Sequence, residues 1–149
     1  MSERNAYRKR IVKEPPHLDL FKPVGASMRT AKKIIMNLDE LEALRFADYR
    51  QLAHLEASQK MNISRPTFTR LINKARHKLS QVLLEGCVLK IEGGNVEFRG
   101  TVHQCQDCGE SSKQSVEAPL EECPECGSPH TENLANRHRE TEKNETKKI

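Results

Sequence analysis

From Leu38 onward, apolar residues recur at three- and four-residue steps. Leu38, Leu41 and Leu44, with Ala43 and Phe46 nearby, mark one face of a helix. Asn37 precedes them as an N-cap, and Glu40 follows at the spacing of a capping box. This first helix is expected to end near Asp48. A second runs roughly from Leu52 to Met61, with Leu52, Leu55 or Ala57, and Met61 apolar and Ser58 small. Asn62 tolerates the left-handed backbone that closes a helix in a tight turn. Ser64 caps a third, long helix; Pro66 sits in its first turn, and Gly86 stops it after Glu85. Phe68, Leu71, Ile72, Ala75, Leu79, Val82 and Leu83 form its apolar stripe, which reads as core.

The period then changes. Residues 88–99 read as VLKIE, a Gly93-Gly94 turn and NVEFR, which predicts a hairpin. In that register Ile91 faces Val96, Leu89 faces Phe98, and Lys90 opposes Glu97. Upstream, residues 1–33 carry Pro15-Pro16, Pro23 and Gly25, which disfavour helix. They predict an extended basic arm, docked through Leu18, Leu20 and Phe21. Residues 34–37 lead into the first helix. Downstream, residues 133–149 are polar and charged and predict a disordered tail. The expected division is an arm at 1–33, a helix-turn-helix domain with its hairpin at 34–99, a cysteine-rich module at 100–132 and the tail. The fold class is mainly α: a three-helix core with a short β-hairpin, plus a small four-cysteine zinc ribbon.

The 149 residues carry 25 Lys and Arg against 21 Asp and Glu, a net charge of +4, but the signs are segregated. The net charge is +6 over residues 1–33, −3 over 34–56, +6 over 57–84, where no acidic residue occurs, and −5 over 85–149. Solvated surfaces usually intersperse both signs, whereas an acid-free stretch suits phosphate. Aromatic residues are 4% of the chain and Trp is absent, so part of it is expected to lack a deep core. No apolar run approaches the roughly 20 residues that cross a bilayer, and no apolar stretch follows the basic start. The expectation is a cytoplasmic protein without a membrane partner.

Ser58, the turn at Asn62, and apolar Met61, Ile63, Phe68 and Leu71 meet the needs of a helix-turn-helix. Two helices cross closely over a small side chain, and the apolar positions lock the angle that pushes the second helix outward. Pro66, Arg70, Asn73, Lys74, His77 and Gln81 point away from the stripe. A recognition helix at 64–85 would read the major groove with its N-terminal residues. Arg65, Thr69, Arg70 and Asn73 are the candidate base contacts, since Arg pairs bidentately with guanine and Asn with adenine. Ser64, Thr67, Lys74 and Lys78 are candidate phosphate contacts, with Pro66 on the same face. The blander alternative is a helical bundle with a solvated basic face.

Four blocks, FKPVG (21–25), LDELEALRFAD (38–48), NISRPTF (62–68) and LKIEGGN (89–95), carry a family resemblance. In order and spacing they resemble a prokaryotic family catalogued as the domain of unknown function numbered one hundred and thirty-four. The same family is called uncharacterised protein family two hundred and fifty-one. The resemblance spans roughly residues 7–95. It implies a DNA-binding protein whose helix-turn-helix is similar to the promoter-reading fourth region of sigma factors. The chain departs from the family pattern where Ala53, His54 and Leu55 replace a Ser or Thr cap with acidic residues after it. It departs again where Asn62 replaces the turn glycine.

Four of the five cysteines form two C-x-x-C pairs, Cys105 with Cys108 and Cys123 with Cys126, 14 residues apart and each followed by glycine. Two such knuckles give tetrahedral four-sulfur ligation at close to zinc-ribbon spacing. Residues 103–130 lack Phe, Tyr and Trp, so a structural metal is the expected source of folding energy. Zinc is favoured. Iron is the alternative, because CPECG resembles a rubredoxin knuckle, although the aromatics that shield such iron are missing. His103 and His130 flank the cluster as alternative ligands, and Cys87 reads as a small packing residue.

These readings point to a sequence-specific DNA-binding protein, a transcriptional regulator with no catalytic constellation. Its expected partners are double-stranded DNA, RNA polymerase or another protein through the ribbon, and a second copy, since a lone helix-turn-helix gains affinity by dimerising. Two alternatives stay open: a rubredoxin-like iron redox module, and a protein-interaction adaptor on RNA polymerase without DNA affinity of its own.

Overall fold

A computed structural model describes residues 9–115 and 120–138. The chain divides into two compact units. One comprises Leu18–Glu97 with the described residues up to Ile11; the other comprises Val12–His17 with the described residues from Phe98 onward.

The first unit is mixed α/β, which corrects the mainly α expectation. Strand β1 (Arg10–Val12) begins the described chain, followed by β2 (Leu20–Phe21) and β3 (Lys33–Met36). Helix α1 (Leu38–Leu44) continues into a π-helical turn at Arg45–Tyr49. Helices α2 (His54–Lys60) and α3 (Arg65–Glu85) lead to β4 (Val88–Ile91), and β5 (Val96–Phe98) follows. Strands β3 and β4 pair in parallel, with Ile34 opposite Leu89 and Met36 opposite Ile91. A parallel pair needs a long crossover, and the three helices supply it. The other edge of β4 takes β2, antiparallel, with Leu20 opposite Lys90.

The predicted hairpin at 88–99 is therefore absent. Both edges of β4 are occupied by β3 and β2, and β5 pairs with β1 instead. The Gly93-Gly94 turn serves a different contact. It wraps the start of α1: the Leu38 N–H donates to the Gly93 carbonyl at 3.0 Å. Gly94, at φ +101°, lies so close to Asn37 and Asp39 that a Cβ there would sit 3.3 Å from Asp39 Oδ1. A turn that looks like a hairpin signal is in fact a clasp on a helix N-terminus.

The helical termini follow the local signals. The Glu40 carboxylate accepts from the Asn37 N–H at 3.4 Å. The Ser64 hydroxyl accepts from the Thr67 N–H at 3.3 Å, and Gly86 closes α3 in the left-handed region. Helix α2 starts at Ala53 with no side-chain cap. Ala43, Phe46, Ala57, Met61, Phe68, Leu71 and Ile72 form the core. The stripe of α3 is only partly core, however: Leu83 is 81% exposed, and its neighbour Leu84 86%. Past Ala75 no residue of α3 is buried.

Three carboxylates of α1 are buried in ion pairs. Arg10 pairs with Asp39, Lys78 with Glu40 at 2.8 Å, and Arg45 with Glu42 at 3.3 Å. Beside them, Arg76 grips exposed Asp48 through two hydrogen bonds, of 3.0 and 2.7 Å. The acidic stretch at 34–56 thus supplies internal partners for cations of the arm and of α3.

The second unit is a three-stranded antiparallel sheet in which β6 (Gly100–Cys105) lies between β7 (Ser111–Ser115) and β8 (Thr131–Asn133). Residues 134–138 continue β8 as helix. Leu134, Ala135 and His138 are buried, along with Val12, Phe98 and Val102. The start of the expected disordered tail instead completes this core; the remainder of that tail, 139–149, lies outside the described residues, as do 1–8 of the arm. Among the described residues no helix is long and apolar enough to cross a membrane.

Candidate metal centre and nucleic-acid interface

The tip of the second unit carries the cysteines. The hairpin of β6 and β7 holds the first knuckle, and the stretch leading into β8 holds the second. In each knuckle the glycine after the second cysteine turns back with positive φ. The Gly109 N–H donates to the Cys105 carbonyl at 3.0 Å, and the Gly127 N–H to the Cys123 carbonyl at 2.8 Å. The Cys108 N–H faces the Cys105 sulfur at 3.4 Å. The two knuckles are joined by the Gln106 N–H on the His130 carbonyl at 2.8 Å. They are joined again by Asp107, which accepts from the Ser128 hydroxyl and from His130 Nδ1.

All four sulfurs lie within 4.8 Å of one another. Cys105 and Cys126 are 3.6 Å apart, as are Cys108 and Cys123. A tetrahedral site with metal–sulfur bonds of about 2.3 Å needs sulfur–sulfur edges of about 3.8 Å. The geometry fits one metal ion, and the four cysteines can hold it.

The ionisation of the cluster points the same way. The Cys108 N–H, with further donors, lowers the Cys105 thiol to about 6. Cys108 is pushed up to about 12: the Glu110 N–H favours its thiolate, but burial and the neighbouring sulfurs outweigh it. One thiolate forms readily and the next resists. A cation removes that repulsion and releases the remaining protons.

Neither flanking histidine belongs to the four-sulfur group. His130 is bonded to Asp107, whose carboxyl is held below the usual range by Ser128 first and His130 second. His103 is buried in β6, and its ring nitrogens find no partner among the described residues; burial lowers its pKa and keeps it neutral. The Asp107–Ser128–His130 bracket had no signal in residue spacing, because it forms across two knuckles.

The residues expected around the turn between α2 and α3 are also brought together. Ser58 is buried at the crossing of α2 and α3, Asn62 adopts φ +58°, and Met61 and Phe68 are fully enclosed. On the outer side of α3, Ser64, Arg65, Pro66, Arg70, Asn73 and Lys74 are exposed, and Thr67 and Thr69 are half-buried. Among the described residues Arg65, Arg70 and Lys74 form no ion pair. Lys78 differs from them: its ammonium is on Glu40, and its side chain is only 18% exposed. A further neighbour of this face has no signal in residue spacing. His54 Nδ1 lies 3.1 Å from Thr69 Oγ1, and its ring meets Phe68 edge-on at 5.3 Å.

Residues 1–99 match the family described as "Protein of unknown function DUF134". A UPF0251 protein of Chloroherpeton thalassium is 46% identical over 125 residues, 84% of this chain and 83% of that protein. UPF0251 proteins of Pelotomaculum thermopropionicum and Moorella thermoacetica are 35% and 34% identical, over 80% and 82% of this chain and 89% and 79% of theirs. A match of 125 residues exceeds the 99 of the family match, so the likeness to the first of these continues into the cysteine unit.

Proposed function

The chain belongs to the DUF134 family, and from that premise we propose that it binds duplex DNA in a sequence-specific manner and regulates transcription without catalysing a reaction. The observation that carries this reading is the outer side of α3. Its first three turns bury Phe68, Leu71, Ile72 and Ala75 against the core and leave Arg65, Arg70, Asn73 and Lys74 open, with no acidic residue between Ala57 and Leu84. That combination suits a helix lying in the major groove, with bases read by Arg65, Thr69, Arg70 and Asn73. Ser64, Thr67 and Lys74 would face phosphate. Lys78 leaves the proposed contact set, because moving its ammonium to a phosphate would strand the buried Glu40.

For the metal centre we propose structural zinc. Four thiolates close the coordination shell and leave no open position for substrate. Between Gln104 and His130 no aromatic side chain is available to shield iron. The ion would bind the two knuckles together, and the acidic tip around it offers a surface for a protein partner. One equivalent of zinc in colourless protein supports this; a red, redox-active protein overturns it in favour of iron.

Duplex binding is tested by titrating the full chain against selected DNA at several salt concentrations. Neutralising about five phosphates predicts a slope of about −4.5 for log K against log salt. Arg70→Ala is expected to cost about 1–3 kcal/mol and to relax preference at one base pair. Absent or salt-insensitive binding would overturn the reading in favour of an adaptor that works through protein contacts.

A further inference from the structure

Thr69 stands one turn beyond Arg65 on the outer side of α3, and its hydroxyl is already engaged by a histidine from the other helix of the motif. His54 lies in the first turn of α2, where its ring is held edge-on against the fully buried Phe68 at an interplanar angle of 66°. That packing points Nδ1 at Thr69 Oγ1 across 3.1 Å.

The contact has two forms with opposite consequences. When Nδ1 carries no proton, only the Thr69 hydroxyl can donate, and its oxygen offers lone pairs to the groove. When Nδ1 is protonated, it donates to Thr69 Oγ1, and the hydroxyl proton is free to turn outward. An acceptor suits the exocyclic amino groups of adenine and cytosine. A donor suits guanine N7 and O6, adenine N7 or thymine O4. Resting on the DNA-binding reading above, we propose that His54 is a positioning residue for base reading: its protonation sets whether the Thr69 hydroxyl proton is held on the ring or presented to the DNA.

Asp48 on the π-helical turn, itself paired with Arg76 on α3, interacts electrostatically with His54. The Arg76 hydrogen bond holds the Asp48 carboxyl below the usual carboxylate range, so Asp48 remains an anion throughout the range in which histidines titrate.

The test is selection of bound duplexes from a randomised library by the full chain, at about pH 5.5 and about pH 8, either side of ordinary histidine titration. At one base position the preference is expected to move from cytosine, which offers only its amino group, at the higher pH toward guanine or thymine at the lower. The expected change is about fivefold, the size of one ordinary hydrogen bond. His54→Phe keeps a ring against Phe68 without the nitrogens and should select the same base at both pH values. Thr69→Val should also lose the shift, and Thr69→Ser, which keeps the hydroxyl, should retain it. A preference that does not move in the parent chain overturns the inference, as does a shift that survives in His54→Phe or Thr69→Val. Both results leave DNA binding intact. Failure to bind any duplex at either pH overturns the DNA-binding reading and this inference together.

Discussion

The helical unit and the cysteine unit are held by different means. The first encloses Ala43, Ala57, Met61, Phe68 and Ile72 completely and has apolar area enough to accommodate three buried carboxylates, each with a cation beside it. The second buries Val12, Phe98, Val102, Leu134 and Ala135 at one end of its sheet. Toward its tip, from Cys105 to His130, the only buried side chains among the described residues are those of Cys105 and Cys123. Apolar burial contributes roughly 25 cal/mol per Å2, and that tip has almost none to contribute. Ligand bonds from the four cysteines to one ion would take over there. In the helical unit charge follows from a sufficient core; in the cysteine tip it substitutes for one.

The strongest way to break this contrast is to remove the ion. Chelation, or Cys105→Ser, withdraws metal-binding free energy on the order of 10 kcal/mol. Hydrogen exchange should accelerate across Gly100–Cys105 and Ser111–Ser115 while the amides of Phe68 to Ala75 keep their protection. Equal loss in α3 would show that the two units do not depend on different forces. The next largest effect belongs to the apolar core. Phe68→Ala empties a fully buried site and should cost about 3–5 kcal/mol in denaturant unfolding of the helical unit, with metal content unchanged.

Lys78 sharpens the comparison from the electrostatic side. Lys78→Ala leaves the Glu40 carboxylate, 1% exposed, without its cation. The expected loss is about 3 kcal/mol of stability, recovered in part by Glu40→Leu in the same chain. Unchanged stability, with the salt slope of DNA binding reduced by about one, would return Lys78 to the phosphate contacts.

The legible parts of this molecule were local ones. Ser64, Pro66 and Gly86 each act within one turn of their own position, and together they bounded α3. Asn62 signalled the left-handed turn for the same reason, and the cysteine knuckles are defined by spacings of three residues. What stayed hidden depends on distant partners. Lys33–Met36 and Val88–Ile91 pair across three helices, and nothing near either strand announces the other. Gly93-Gly94 misled because a two-glycine turn serves a helix clasp as well as a hairpin. The core of the cysteine unit was missed because it is gathered from Val12, Phe98 and Leu134 rather than from the cysteine stretch itself. The contact of His54 with Thr69 crosses a helix–helix angle that periodicity does not encode.

The smallest expected effect distinguishes a surface pair from the buried ones. Asp48 and Arg76 are joined by two hydrogen bonds, yet their side chains are 44% and 45% exposed. The Arg76 hydrogen bond is the leading reason that the Asp48 carboxyl ionises below its ordinary range. A carboxyl whose folded-state value is depressed stabilises the fold fully above its unfolded value, near 3.9 for Asp, and loses that contribution as pH falls through the lower folded value. Solvent screening limits the contribution to about 0.5 kcal/mol. The urea midpoint of the parent chain should therefore exceed that of Asp48→Asn by a small margin down to about pH 5. The margin should close in stronger acid. A margin that widened in acid would mean that Asp48 stabilises the turn through its protonated form, and that the hydrogen bonds to Arg76 contribute nothing to the fold.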